Sequence, residues 1–232
     1  MPKKPLIRSG SNPYHVTGRC NNKEPFYADL EKVWRIFSFE LNEITSKHFS
    51  KTHAFVLMPN HFHLLISTPA DDLGVVMRTF MAAVTRNINS ETGRSGRVFG
   101  AKYHWSLIGN ANYYDCALKY VYRNPVKAKL VSKAEDYPFS TLRSFLSKPT
   151  ENNILIQPPI GVDSDIPDHD LNEFLNWINE SFKNEQEDVI KKALRKKEFS
   201  PPKEGWKKKR IHLESYLNPK LCGEHTKDTG HL

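Results

Sequence analysis

The sequence predicts an α+β protein, an antiparallel sheet with helices in the split βαβ order of the ferredoxin-like plan. Three observations carry this. Tyr14–Arg19, Thr52–Leu57 and His61–Ser67 are short runs rich in β-forming residues. Between and after them lie stretches whose apolar residues recur with the 3.6-residue period of a helix. The resulting order is strand, helix, strand, strand, helix, strand, helix.

The elements follow from their residues. Tyr14–Arg19 (YHVTGR) alternates polar and apolar and ends near the turn-forming pair Asn21-Asn22. Leu30, Val33, Trp34, Phe37 and Leu41 mark one face of the first helix. Met58-Pro59-Asn60 is a tight break between two strands, because proline fixes its own φ and biases its predecessor toward extended geometry. The break is short enough for a hairpin. Asp71 or Asp72 can cap the second helix, whose buried stripe is Leu73, Val76, Met77, Phe80, Val84 and Ile88. Arg97–Ile108 reads as one long strand or two bent ones. Asn112–Val131 reads as a third helix interrupted at Asn124-Pro125. Residues 1–148 are expected to form the core domain and 149–232 an extension: an acidic linker, a helix from Leu171 opened by an Asp170/Glu173 capping box, a short helix at Val189–Leu194, and a basic tail.

Charge is unevenly distributed. Residues 1–148 carry 21 Lys/Arg against 11 Asp/Glu, 149–190 one lysine against ten acids, and 191–210 ten basic residues against two acids. A basic body points to a polyanion, usually nucleic acid. The acidic stretch would then be either a cover over that body or, preferably, a solvated linker and helix. Three widely spaced cysteines imply no disulfide framework and fit a reducing compartment. No signal peptide or membrane span is expected, which gives a cytoplasmic protein associated with the nucleoid when bound to DNA.

The most informative segment is MPNHFH. His61 and His63 stand two apart on a strand and share one face, while Phe62 points the other way into a core. Two parallel imidazoles on a rigid strand suit a divalent metal. The third helix offers a further ligand and a nucleophile. Asn124 carries a neutral amide oxygen, and Tyr120 lies one turn before it. Tyr120 sits roughly 110° from the centre of the helix's apolar face and so borders a cleft. Spacing alone leaves Tyr113 and Tyr122 open as alternatives.

Several segments in order resemble the single-tyrosine HUH transposases, most closely those associated with repetitive extragenic palindromes: PYHVTGRCNNKEPFY, FVLMPNHFHLLI, SETGRSGRVFGAKYHWSLI, KYVYRNPVKAKLV and DYPFSTLRSF, spread over residues 13–145. The resemblance implies an HUH endonuclease core. In it His61 and His63 bind the catalytic metal, Tyr120 is the nucleophile and Asn124 a helper ligand. It implies cleavage and rejoining of single-stranded DNA through a 5′-phosphotyrosine link, at hairpin-forming repeats, by a monomer; the insertion-sequence cousins are dimers. Nucleophilic covalent catalysis of this kind requires no ATP, and the chain has no Walker loop. The imidazole–amide donor set favours Mn2+, and Mg2+ is the ion the resemblance implies. Lys102 stands where relatives often carry arginine, and it replaces a bidentate fork with a point charge. DNA contacts are expected from Arg19, Asn21 and Asn22 after the first strand, Arg78 and Arg86 on the second helix, and Arg97, Lys102, Arg123 and Lys127, with Tyr103 and Trp105 as stacking faces. A non-catalytic DNA- or RNA-binding regulator on the same fold is the competing reading. A structural metal at His61 and His63 is a third.

Overall fold

A computed structural model describes residues 6–109, 111–146, 153–157, 171–182 and 186–199. Strand β1 (Tyr14–Arg19) leads into helix α1 (Leu30–His48). Strands β2 (Lys51–Met58) and β3 (His61–Ser67) form the expected hairpin across the two-residue turn Pro59-Asn60. Helix α2 (Leu73–Thr92), strand β4 (His104–Ile108) and helix α3 (Ala111–Lys127) complete the core order. Helices α4 (Leu171–Asn179) and α5 (Gln186–Ala193) and the short strand β5 (Glu198–Phe199) follow.

The sheet order is β2-β3-β1-β4-β5. The first four strands are antiparallel neighbours, as the split βαβ order requires. The fifth differs. β5 reaches the far edge after three intervening helices and lies parallel to β4, so the sheet is mixed.

Period-two alternation gives the sheet two distinct faces. Tyr14, Val16, Phe55, Leu57, Phe62, Leu64 and Ile66 pack on one side with the apolar stripes of α1 and α2. Phe37 is the hub, with ring contacts to Phe26, Phe55, Phe62, Phe80 and Phe99. Ala54, Val56, Met58, Leu65 and Ile108 face the other way, against Ala117, Leu118 and Val121 of α3. The described parts of 149–232 join this second core through Phe174, Ile178, Ile190, Leu194 and Phe199. Ile156 bridges to Thr52 on the outer edge of β2, where the Gln157 amide donates to the Thr52 carbonyl at 2.8 Å. The Asp170 side of the expected capping box, the linker 158–170 and the tail beyond Phe199 lie outside the described residues.

Two expectations need correction. α3 is not interrupted at Asn124-Pro125; it runs through to Lys127. Pro125 has no N–H for the Val121 carbonyl. The Asn124 side chain supplies donors instead, Nδ2 reaching the Tyr120 carbonyl at 2.8 Å and that of Val121 at 3.3 Å. Of Arg97–Ile108, only His104–Ile108 is a strand. Residues 98–100 instead clamp the end of β1: Asn21 N–H donates to the Val98 carbonyl, Gly100 N–H to that of Arg19, and Phe99 bridges Cys20. Asp72, not Asp71, caps α2, with its carboxylate accepting from Gly74 N–H.

Candidate active site

At the end of β1 and the start of β3 the second face of the sheet stops being core and becomes a cleft of roughly 1000 Å³. Alternation puts His15, Thr17 and Arg19 of β1 and His61 and His63 of β3 on this face, opposite Tyr120 and Asn124 of α3. The turn after β1 forms the rim. It is held down by Cys20 N–H donating to the Asn60 carbonyl and by Asn60 Nδ2 donating to that of Lys23. Asn22 and Lys23 adopt left-handed φ of 52° and 62°, which folds Asn21 and Asn22 over the cleft mouth.

Tyr120 is only 6 % exposed, yet it lines the cleft. Its ring stands edge-on to His63 at 5.6 Å and to His15 at 6.2 Å between centroids. The other two tyrosines left open by spacing lie elsewhere. Tyr122 is fully buried, its hydroxyl 3.1 Å from Thr141 Oγ1, and Tyr113 packs edge-on to Phe199.

Burial sets the protonation states. Desolvation lowers His61 to about 4 and His15 to about 3, and puts His63 well below its ordinary value. All three are neutral imidazoles near pH 7, the form a metal requires. Desolvation also raises the Tyr120 phenol to about 12, with Glu187 adding to the rise and Arg195 and Arg19 opposing it. Each histidine of the pair has its Nδ1 engaged. His61 Nδ1 lies 2.7 Å from Asn60 Oδ1 and His63 Nδ1 lies 3.0 Å from His15 Nε2. Neither Nε2 atom is engaged by these contacts. Among the described residues no three His, Cys, Asp or Glu side chains converge as a metal cluster. The cleft does offer a donor of another kind. Asn124 lines the cleft, and its Nδ2 is committed to backbone, which leaves Oδ1 as the free end. Two neutral imidazoles and an amide oxygen fit a divalent ion of the manganese or magnesium type.

Of the residues named from sequence, Arg19, Asn21, Asn22, His61, His63, Lys102, Tyr120, Asn124 and Lys127 line this one cleft. Arg78, Arg86, Arg97 and Arg123 do not. Arg78 and Arg86 are exposed on α2, on the opposite side of the sheet, and Arg97 is exposed before Val98. Arg123 is 8 % exposed and turned beneath α4, where its guanidinium donates to the carbonyls of Ile178 and Asn179. Tyr103 is buried in the first core and Trp105 packs against it, edge-on to Tyr14. Among the lining residues not foreseen as such are His15, Lys23, Lys191 near the end of α5 and Arg195 just after it. Lys127 is paired with Glu187 at 3.3 Å and with Asp188 at 3.5 Å.

A solved structure of a REP-associated tyrosine transposase bound to a REP hairpin superposes with a TM-score of 0.51 at 19% identity, covering 64% of this chain and 86% of that one. The chain has the fold of that transposase. A protein from Deinococcus radiodurans R1 described as a candidate transposase also aligns, with a TM-score of 0.36 and 16% identity over 56% of this chain and 92% of that one. No family model and no curated protein matches. Among the described residues no helix is long and apolar enough to cross a membrane.

Proposed function

We propose that the protein is a transposase-like enzyme that cleaves and rejoins single-stranded DNA at hairpin-forming repeats, with Tyr120 as nucleophile. The observation that carries this is the convergence of Tyr120, His61 and His63 in a cleft lined by Arg19, Lys23, Lys102, Lys127, Lys191 and Arg195. The solved structure with the same fold holds a REP hairpin, which supports hairpin DNA as the partner.

The Tyr120 phenol oxygen attacks a backbone phosphorus and loses its proton. The P–O3′ bond breaks, giving a 5′-phosphotyrosine and a free 3′-hydroxyl. Attack by a 3′-hydroxyl on the phosphotyrosine reverses the step and can join new ends, with no net change in phosphodiester number and no ATP. A divalent ion held by His61, His63 and Asn124 would polarise the phosphate and offset transition-state charge. The cations of the cleft other than Lys127, which Glu187 and Asp188 pair, bind the strand, and Asn21 and Asn22 stand where they can meet its bases.

The test is cleavage of labelled hairpin oligonucleotides by wild type and Tyr120→Phe in Mn2+, Mg2+ or EDTA. A covalent adduct that needs metal and is absent in the variant is expected. Tight hairpin binding with no adduct in either protein would favour a non-catalytic binder and refute the proposal. An adduct that persists in Tyr120→Phe would reject Tyr120.

A further inference from the structure

We infer that His15 is a positioning residue for the proposed metal site, accepting a hydrogen bond from His63 so that His63 presents a bare Nε2 to the cleft. This rests on the metal reading of His61 and His63 given above. His15 is 2 % exposed on β1, and its ring stacks on that of His63 with centroids 5.2 Å apart. Its Nε2 lies 3.0 Å from His63 Nδ1. Two tautomer assignments satisfy that contact. If His15 donates, the hydrogen of His63 sits on Nε2 and that nitrogen cannot ligate. If His63 donates from Nδ1, its Nε2 lone pair is free.

The neighbouring imidazole argues for the second assignment. Asn60 Nδ2 is committed to the Lys23 carbonyl, so the atom 2.7 Å from His61 Nδ1 is the amide oxygen, an acceptor. His61 is therefore the Nδ1–H tautomer, with Nε2 free. A metal-binding pair needs the same of His63, and His15 is the group that can accept. Outer-shell acceptors commonly fix histidine tautomers in this way. The assignment leaves a hydrogen on His15 Nδ1, a buried atom with no hydrogen-bond partner among the described residues. The buried Ser106 Oγ likewise has none, and Ser106 stands directly opposite His15 in the β1–β4 ladder. Directly opposed side chains are close enough for a rotamer change or one water to join these two atoms. The chain would then run Ser106, His15, His63.

Three measurements test this. Long-range proton–nitrogen spectra of metal-free protein labelled at histidine nitrogen read the tautomer directly, and His63 should carry its hydrogen on Nδ1. Mn2+ binding followed by electron spin resonance should weaken by about 10- to 100-fold in His15→Phe, which keeps the ring but not the acceptor. His15→Gln, which restores an acceptor, should recover most of that loss. A loss of Mn2+ affinity in His15→Phe that His15→Gln does not restore would mark His15 as a packing residue and overturn the inference. Wild-type Mn2+ affinity in His15→Phe, or Nε2–H on His63, would overturn the inference alone. A wild type without a saturable Mn2+ site removable by His61→Ala would overturn the metal reading with it.

Discussion

The C-terminal helix offers a quantitative probe of the DNA reading. Lys191 near the end of α5 and Arg195 in the turn just after it are both exposed at the cleft. Lys127 is also at the cleft, but Glu187 and Asp188 already neutralise it. Counterion release makes log Kobs fall with log salt by about 0.7 per phosphate contacted on a single strand. Replacing Lys191 and Arg195 together by glutamine should therefore flatten the slope by about 1.4 if both meet phosphates, which is roughly a 25-fold loss at 0.1 M salt relative to 1 M. Lys127→Gln alone should change the slope little. Glu187→Gln with Asp188→Asn should steepen it by about 0.7, because Lys127 is released to the strand. The assay is fluorescence anisotropy of a labelled hairpin in EDTA over a salt series, which separates binding from cleavage. An unchanged slope in the Lys191/Arg195 variant would refute the claim that α5 contacts the nucleic acid, whatever its effect on cleavage.

Two further predictions concern the frame. Arg123→Met should leave the salt slope unaltered and lower stability by about 2 kcal/mol, since it removes charged hydrogen bonds to the last carbonyls of α4; thermal melting checks the second part, and a flattened salt slope with unchanged melting would reverse the assignment. His53 is buried, bonded to the Gln157 carbonyl and Ser67 Oγ, and desolvation lowers it to about 4. Below pH 6.5 the unfolded chain binds the proton and the folded chain does not, so stability is full above pH 6.5 and falls as pH drops toward 4. The fall is about 1.4 kcal/mol per pH unit from this group. Urea unfolding of His53→Asn across that range should show a correspondingly shallower pH dependence than wild type, and equal dependence would mean His53 is not buried neutral.

The parts of the fold legible in the sequence are those set by period. Strand alternation placed His61 and His63 together and Phe62 away from them, and the helical stripe placed Tyr120 on the flank of α3. What was not legible depends on which elements meet. Arg78 and Arg86 are outward on α2 as their spacing implies, but spacing cannot say which side of the sheet a helix covers. Arg123 lies on the basic stretch after Tyr120, and only the seat of α4 turns it inward. His15 is an unremarkable member of an alternating strand until the β1–β3 pairing, Thr17 opposite His63, sets it diagonally beside a residue 48 positions on. Lys191 lies in the helix expected at Val189–Leu194 and Arg195 just after it, but that expectation could not say that Ile190 and Leu194 seat this segment on the second core beside the cleft. The strand expected at Arg97–Ile108 fails for a local reason: the pairing Thr17 with His104 becomes Cys20 with Phe99, leaving two extra residues on the second strand near Gly100. A Cβ on Gly100 would approach the Asn21 Cα to 3.0 Å, so the rim turn and this bend are built against each other.

Burial acts on the cleft's histidines and tyrosine in one direction, toward their neutral forms, with opposite consequences for chemistry. A neutral imidazole can ligate without first losing a proton. A neutral phenol with its pKa near 12 is a poor nucleophile. The chain's own cations that favour the phenolate are Arg195 and Arg19, and both line the surface that an incoming phosphate would occupy. Once DNA binds, the strand's negative charge offsets their help at the moment the proton must leave. Positive charge from outside the chain beside the phenol would restore that help, and His63, a neutral imidazole whose ring stands 5.6 Å from that of Tyr120, is placed to hold it. This argues for metal dependence in the cleavage step rather than in strand binding. Hairpin affinity that survives EDTA while adduct formation does not is the pattern it requires, and cleavage at an undiminished rate in EDTA would contradict it.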